Sequence, residues 1–154
     1  MITISENRDA RLIASLNADV QNLHAALHPT LFKPHEQAAM ETALQSFLAD
    51  PNCRVYVAHQ DGEAIGYAIY LIRELPDNAF HYALRSLYLD QLSVLPAHRK
   101  SGVAAALLKA GERLAAELGI SRLELDHWSA NVVAAAYFRK QGYQLCKERM
   151  YKLV

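Results

Sequence analysis

Apolar positions change their spacing several times along the chain, and each change marks a predicted element. A short alternating run at residues 2–4 predicts a strand. Apolar residues then recur every three or four positions over roughly 8–27 and again over 36–48, which predicts two amphipathic helices. The first of these helices should end before Pro29, because the residue before a proline avoids helical angles.

The central part of the chain carries the alternation that is typical of strands. Runs at 54–59, 65–72 and 85–94 are rich in Val, Ile, Leu and Tyr, and the first two flank Asp61-Gly62, a tight-turn signal. These three runs predict an antiparallel meander. A helical stripe follows Pro96 and ends at Gly119, a typical position for the glycine after a helix.

The remaining residues predict a strand at 121–128, a helix at 131–141 and a final strand or hairpin at 143–153. The expected order is β-α-α-β-β-β-α-β-α-β, an α/β architecture with a mixed sheet. The crossover from Val94 to Arg122 should join two parallel strands in a right-handed sense. Since no linker or repeat interrupts the chain, residues 1–154 are expected to form a single domain.

Charge and composition exclude several classes of protein. Lys and Arg total 16 and Asp and Glu total 16, so the chain lacks the positive surplus of a nucleic-acid-binding protein. The longest apolar run, 103–108, is far shorter than the ~20 residues that span a bilayer, and the N-terminus does not resemble a signal peptide. Cys53 and Cys146 form no CxxC motif. We expect a cytoplasmic protein without nucleic-acid or membrane partners.

The strand-to-helix junction at 91–104 carries the clearest chemical signal. The helix should open near Gly102, and a helix N-terminus presents unpaired N–H groups that suit a phosphate. Gly102 and Ala104 leave room for a ligand beside the backbone, while Arg99 and Lys100 add positive charge. A plain turn with a solvated Arg99 is the structural alternative, because short glycine motifs also match by chance.

Three segments in order resemble the GCN5-related N-acetyltransferase (GNAT) family. Residues 99–104, Arg-Lys-Ser-Gly-Val-Ala, match its Gln/Arg-x-x-Gly-x-Gly/Ala acetyl-CoA signature at every fixed position. Leu92, Val94 and Pro96 match the family pattern just before it. A later segment also resembles the family at Asn131, Ala134, Tyr137, Phe138, Lys140, Gly142 and Tyr143. The resemblance covers roughly 55–153.

The resemblance implies the GNAT fold, a mixed and mostly antiparallel central sheet flanked by helices, with a splayed strand pair at 88–94 and 121–128. It implies that acetyl-CoA binds between these strands as the acetyl donor. The implied diphosphate site comprises Arg99, Lys100, Ser101, Gly102, Val103 and Ala104. The implied contacts of the pantetheine arm are Leu92, Ser93, Val94 and Asn131. Transfer to the amine should be direct, with no metal and no covalent enzyme intermediate.

Acetylation of a protonated amine needs a group that accepts a proton. Asp90 is the first candidate, since relatives often carry a carboxylate at the matching position. Strand alternation places Asp90 on one face with Tyr88 and Leu92, unless a bulge intervenes. The structural alternative is an Asp90 that pairs with Arg85. Glu124 and His127, on the neighbouring strand, are rival bases.

The candidate acid departs from the family pattern. Phe138 occupies the place of the family's acidic tyrosine, and Tyr137 is one position earlier, rotated by about 100° around a helix. Either the helix is turned slightly and Tyr137 protonates the departing thiolate, or the thiolate leaves unaided or takes a proton from water. Both readings remain open at this point.

Several other aromatic and histidine residues receive structural interpretations. Trp128, like Tyr143, is expected in the core between helix and sheet. His24 and His28 are read as a solvated helix face rather than as metal ligands. The segment 28–35 is either part of an acceptor lid or a packed connector.

The sequence is therefore interpreted as an acetyl-CoA-dependent N-acetyltransferase that acts on a primary amine of an unidentified small molecule or protein. The alternative is an acyl-CoA-binding regulatory module of the same fold with little or no turnover, which Phe138 keeps open. The sequence leaves the oligomeric state open, although a homodimer through the C-terminal strand is common in the family that the chain resembles.

Overall fold

Five strands form one sheet in the computed structural model, which describes residues 1–154. In chain order the elements are β1 (Ile2–Glu6), α1 (Ala10–Leu27), α2 (Gln37–Leu48), β2 (Cys53–Gln60), β3 (Glu63–Leu75), β4 (Leu84–Val94), α3 (Val103–Glu117), β5 (Leu123–Leu125) and α4 (Val132–Lys140). The strand order is β1-β2-β3-β4-β5. The first four strands are antiparallel, and β5 is parallel to β4. The predicted meander and parallel crossover are confirmed.

Apolar side chains cover both faces of the sheet because the central strands alternate between two cores. Val57, Tyr67 and Ile69 are buried toward α1 and α2. Ala68 and Tyr70, the intervening residues of β3, are buried toward α3. The faces are therefore distinct, and we call them the α1 face and the α3 face.

The predicted apolar stripe of α1 is buried along only half of its length. Ile13 and Leu16 are enclosed against the sheet, whereas Leu23 and Leu27 are 40% and 37% exposed. The C-terminal half of α1 therefore extends past the sheet and presents apolar side chains that no strand covers. The helix begins with Asp9, whose carboxylate accepts hydrogen bonds from the first-turn N–H groups.

Two predictions about the end of the chain are wrong. The strand expected at 121–128 is reduced to β5, three residues long, and the strand or hairpin expected at 143–153 is not formed. Because β5 is short and ends at Leu125, it offers no long edge with which a C-terminal strand could pair. Met150, Tyr151 and Leu153 accordingly remain more than four-fifths exposed. No helix is long and apolar enough to cross a membrane.

Candidate active site

The N-terminus of α3 forms an open cradle of backbone groups. Lys100 and Gly102 both adopt positive φ angles, 62° and 89°, and turn the chain from β4 into the helix. No side chain caps the helix, so its first N–H groups are free. A Cβ atom built on Gly102 would meet nothing within 4 Å, which shows that the space before the helix is open. Ser101 uses its hydroxyl locally, donating to the carbonyl of His98 at 2.5 Å.

Two further predicted donor-site residues begin α3. Val103 is buried against the sheet and anchors the first turn, while Ala104 is half-buried beside the cradle. Their small or inward side chains leave the helix N–H groups accessible. This arrangement suits an anion such as a diphosphate.

One edge of β4 is unpaired where it approaches this cradle. β5 pairs with β4 only through Leu87–Leu89, so residues 90–94 have no strand on that side. The N–H of Leu95 donates to the carbonyl of Ile65 at 2.9 Å, and antiparallel alternation then turns the N–H groups of Leu92 and Val94 toward the open edge. The strand thus presents free backbone donors in a line that leads to α3.

Side chains around this edge hold it in place. Ser93 is buried, and its hydroxyl donates to the carbonyl of Leu16 in α1 at 3.2 Å. Gly66 of β3 allows close approach, since a Cβ atom there would lie 2.7 Å from the carbonyl oxygen of Ser93. The end of β4 is therefore fixed by packing on both its neighbours.

Arg99 is engaged with protein groups rather than free in solvent. Its guanidinium forms an ion pair with Asp19 of α1, and its Nε donates to the carbonyl of Val94 at 3.2 Å. The side chain therefore ties α1 to the end of β4 beside the cradle. Sequence reasoning did not anticipate Asp19, because 80 residues separate it from Arg99.

Asp90 is the additional residue of a β-bulge. Gln91 lies opposite Ile69 and Leu89 lies opposite Tyr70, so Asp90 has no partner in β3. The bulge shifts the alternation, and Leu92 packs toward the α3 face with Leu89. The predicted common face for Asp90 and Leu92 is therefore wrong, because an inserted residue reverses the pleat.

The carboxylate of Asp90 lies on the α1 face. Its charge contributes to the raised pKa values of Cys53 and Tyr67, both of which belong to the core under α1. Removal of water raises the pKa of Asp90 itself, although a hydrogen bond from Gln91 and the charge of Arg73 oppose this. The acid form of Asp90 is thus stabilised relative to an ordinary aspartate.

The pairing of Asp90 with Arg85 is not observed. Arg85 pairs instead with Glu74, at 3.2 Å, and donates to the carbonyl of Leu118. Asp90 therefore has no ion-pair partner within 4 Å, and its charge is not used in a structural bridge.

Of the two rival bases, Glu124 is the one whose proton-accepting group is already engaged. Glu124 receives a 2.9 Å hydrogen bond from Nε of Arg122, and hydrogen bonding from Ser86 is the main cause of its lowered pKa. Its carboxylate is therefore already satisfied. Nδ1 of His127 lies 3.3 Å from the carbonyl oxygen of Trp128, the residue that follows it.

Tyr137 carries a buried hydroxyl that has no hydrogen-bond partner. Burial raises the pKa of this hydroxyl. The Tyr137 ring packs edge-on against Phe138, with centroids 5.6 Å apart, and both residues contact the α3-face core. The ring thus packs against the core, and the hydroxyl is enclosed without a protein hydrogen-bond partner.

Asn131 lies at the start of α4. Its Oδ1 accepts a hydrogen bond from the N–H of Ala134 at 3.1 Å and caps the helix. That contact leaves its Nδ2 group free to donate elsewhere. The residue can therefore serve both the helix and a ligand at the open edge.

The structure adds polar residues that the sequence did not single out. The hydroxyl of Tyr67 donates to Oε1 of Gln91 at 2.7 Å and accepts from Nδ2 of Asn17 at 2.9 Å, which braces the bulge from beneath. The Arg73 guanidinium lies 3.3 Å over the Tyr88 ring, and the Tyr88 hydroxyl donates to Asp126. Strand alternation alone could have placed Arg73 and Tyr88 on one face, but it could not have identified their contact.

The prediction for Trp128 and the prediction for His24 and His28 are both wrong. Trp128 is 40% exposed rather than in the core. His24 and His28 are half-buried, because their rings pack against Phe32 of the following segment and, for His28, against Trp128. No group of three or more His, Cys, Asp or Glu side chains is arranged to hold a metal ion.

Comparison with known proteins identifies the family. Residues 18–143 match the model of the Acetyltransferase (GNAT) family. The chain therefore belongs to the GNAT family, and its predicted family, fold and class, an N-acetyltransferase enzyme, are confirmed.

Two curated relatives illustrate the similarity. The chain is 29% identical over 133 residues to the Uncharacterized N-acetyltransferase Rv2669 of Mycobacterium tuberculosis, covering 83% of this chain and 80% of that protein. It is 34% identical over 64 residues to the Aminoglycoside N(6')-acetyltransferase type 1 of Acinetobacter haemolyticus, covering 42% and 44% respectively.

Solved structures show the same fold. A tetramutant of the BH1408 protein from Bacillus halodurans superposes with a TM-score of 0.91 at 18% identity, covering 99% of both chains. The aminoglycoside N-acetyltransferase AAC(6')-Iy in complex with CoA has a TM-score of 0.74 at 21% identity, covering 100% of this chain and 95% of that one.

The open cradle predicts the effect of a charge at Gly102. Gly102→Glu should abolish acetyl-CoA binding, because a carboxylate would occupy the phosphate position. Gly102→Ala is the matched control, since both variants bear the same positive-φ strain, about 1–3 kcal/mol of unfolding free energy. Calorimetric titration with acetyl-CoA should show binding to the folded alanine variant only. Equal affinities of the two variants would contradict the placement of the site.

Proposed function

We propose that this protein is an acetyl-CoA-dependent N-acetyltransferase that transfers an acetyl group directly to a primary amine of a small molecule. The observation that carries the proposal is the unpaired edge of β4 at 90–94, which leads to the uncapped N-terminus of α3. A linear donor with amides along its arm and phosphates at its far end fits this arrangement.

The residues present fit acetyl-CoA. The diphosphate would meet the N–H groups at Gly102, Val103 and Ala104, with Lys100 adding positive charge and Ser101 lining the turn. Arg99 supports this site by holding the end of β4 to α1, within reach of the same anion. The cradle is open rather than filled by a side chain, since a Cβ atom built on Gly102 would meet nothing within 4 Å.

The pantetheine arm would pair with the free edge of β4. The N–H groups of Leu92 and Val94 are the donors, and the buried Ser93 fixes the strand between them. Nδ2 of Asn131 lies on the element that follows β5 and can donate to the same arm. This pairing would extend the sheet across the gap that β5 leaves.

Acetyl-CoA supplies an activated thioester: the new N–C bond forms as the C–S bond breaks, while the amine loses a proton and the thiolate gains one. Asp90 is the proposed proton acceptor, directly or through water, because its carboxylate has no ion-pair partner and lies at the bulge. Of the two free donors, the Leu92 N–H is closer in sequence to Asp90 and can donate to the thioester carbonyl oxygen as it gains charge, while the Val94 N–H pairs with the arm. The unpartnered Tyr137 hydroxyl is the proposed proton donor.

The acceptor class rests on relatives. A curated relative and a structural neighbour are named aminoglycoside acetyltransferases, and this supports a small-molecule amine as acceptor. We further propose that residues 1–154 act as one domain, which the single five-stranded sheet supports. A cytoplasmic location and a homodimer stay predictions; the C-terminal strand expected to carry the dimer is not formed.

Thermal unfolding with and without ligand tests the donor. Acetyl-CoA at about 100 times its Kd should stabilise the fold by ~2.7 kcal/mol, a rise of about 5–10 °C for a chain of this size. ATP at the same concentration is the control. No shift at millimolar acetyl-CoA would contradict the proposed donor. A shift without thiol release for any amine would favour the acyl-CoA-binding regulatory alternative.

Asp90→Asn tests the base. Loss of the proton acceptor should lower kcat by roughly 10²–10⁴-fold. The wild-type acidic limb of kcat/KM should lie above the ordinary aspartate value of 3.8, since the pKa of Asp90 is raised, and the variant should lose that limb.

The thermal stability of Asp90→Asn should not fall, in contrast to its kcat. A carboxyl whose pKa is raised on folding stabilises the protein at low pH, and this contribution is lost as pH rises through that pKa. Asp90→Asn should therefore unfold at an equal or higher temperature than wild type at pH 7. A variant that is less stable but fully active would contradict the assignment.

Tyr137→Phe tests the acid. Removal of a buried hydroxyl without a partner should cost no stability, because no hydrogen bond is lost. If the hydroxyl protonates the thiolate, kcat should fall by about 10²-fold, while the Kd for acetyl-CoA stays constant. Tyr143→Phe is the matched control on the same core. Unchanged kcat in Tyr137→Phe would assign the proton to water instead.

A further inference from the structure

Four rings from three separate segments meet beside the C-terminal end of α1. His24 stacks on Phe32 with centroids 5.0 Å apart, and His28 lies 4.7 Å from Trp128. Phe32 meets Trp128 edge-on at 5.4 Å and 90°. We call these four residues the aromatic wall. They belong to α1, to the segment after it and to the segment after β5, so the wall joins elements that are distant in sequence.

The wall stands over the α1 face of the gap between β4 and β5. Trp128 lies two residues after Asp126, whose carboxylate accepts a 3.0 Å hydrogen bond from Tyr88 of β4. On the other side, α1 crosses β4 at Asn17, which contacts Tyr67 and Gln91. After Asn17, α1 runs past the sheet. His28, at its C-terminal end, contacts Trp128 across the gap between β4 and β5.

The space beneath this part of α1 is apolar and open. Leu23 and Leu27 continue the stripe of Leu16, yet they remain about two-fifths exposed because no strand lies below them. Nε2 of His28 is buried without a partner, and burial lowers the pKa of His24, which favours its neutral form. The surface between α1, Trp128 and Asp90 therefore presents leucine side chains and rings on its upper side.

The floor of the same space carries a small negative charge. Its charged residues are the carboxylates Asp90, Glu124 and Asp126 and the guanidiniums Arg73 and Arg122. Arg122 pairs with Glu124, and Arg73 lies over Tyr88 without an ion pair of its own. Together they leave one net negative charge, which matches one ammonium group. A polyamine would place an additional cation beside Arg73, whose positive charge repels it.

We propose that the aromatic wall is the specificity element of the acceptor site and selects a primary amine with a single positive charge and an aromatic or flat apolar group. The amine lies toward Asp90, and the apolar group packs on Trp128 and Phe32. This inference rests on the proposed function, because it assigns the acceptor of the same site. It narrows the acceptor from any small-molecule amine to arylalkyl-type amines.

Acceptor preference is the first test. Phenethylamine, hexylamine and spermine are compared by thiol release from acetyl-CoA, and kcat/KM should be highest for phenethylamine. Trp128→Ala should lower kcat/KM for phenethylamine roughly three- to tenfold, the range of one aromatic contact, mainly through KM. The ratio of kcat/KM for phenethylamine to kcat/KM for spermine should therefore fall. Trp128→Phe should restore most of the loss, which separates ring stacking from a folding defect.

The matched control is Phe80→Ala. Phe80 is another aromatic residue, 95% exposed in the β3–β4 connection and outside the wall. Its removal should leave the preference unchanged. If wild type and Trp128→Ala show the same acceptor preference, with acetyl-CoA turnover intact, the aromatic wall does not select the acceptor. The proposed function would still stand.

Direct binding provides a second readout that needs no turnover. Trp128 is the single tryptophan of the chain, so intrinsic fluorescence reports on the wall alone. With CoA present, phenethylamine should change the emission saturably, and spermine at equal concentration should not. If no amine releases thiol, the enzymatic proposal fails, but this titration still tests whether the aromatic wall binds phenethylamine. No phenethylamine-dependent change would overturn the inference.

Discussion

The divergence of β4 and β5 after three residue pairs is the constraint on which the site depends. Parallel strands normally satisfy each other's backbone groups along their length, but here β4 continues for five residues with one edge free. The bulge at Asp90 begins this free stretch, and the cradle of α3 lies at its end. A linear ligand can therefore complete the sheet and meet a helix N-terminus at the same time.

Buried contacts below the bulge keep this edge in place. The hydrogen bonds among Asn17, Tyr67 and Gln91 fix the pleat on the α1 face. Two residues further along β4, Ser93 donates a hydrogen bond to α1. The ion pair of Arg99 with Asp19 joins the same helix to the loop before α3. Helix α1 thus contacts the proposed donor site near its middle and the aromatic wall at its C-terminal end. In the proposed function, this one helix would position both substrates.

Local patterns predicted most of the fold because they are written in consecutive residues. The helical stripes, the Asp61-Gly62 turn and the glycine after α3 each need only near neighbours, and the elements they predict are present. The strands at 121–128 and 143–153 failed for the opposite reason. Alternation shows that a segment can be a strand, whereas pairing requires a partner edge, and β5 offers only three residues.

The candidate site also combines features that local sequence predicts with features that depend on contacts between distant residues. The motif at 99–104 located the cradle, since a glycine at a helix start is a local feature. The bulge at Asp90 and the contact of Trp128 with His28 depend on elements that fold together from distant parts of the chain. No periodicity could have placed Arg99 beside Asp19, because that pair closes a loop of 80 residues. The residues proposed to select the acceptor are of this second kind.

Amide hydrogen exchange with and without CoA tests the central claim most directly, because it reads the backbone groups that the account assigns to the donor. Saturating CoA should slow exchange at the N–H groups of Leu92 and Val94 and in the first turn of α3, with little change at Gln91, which already pairs with β3. Unchanged exchange at Leu92 and Val94 under saturating CoA would contradict the account, since the donor would then bind elsewhere.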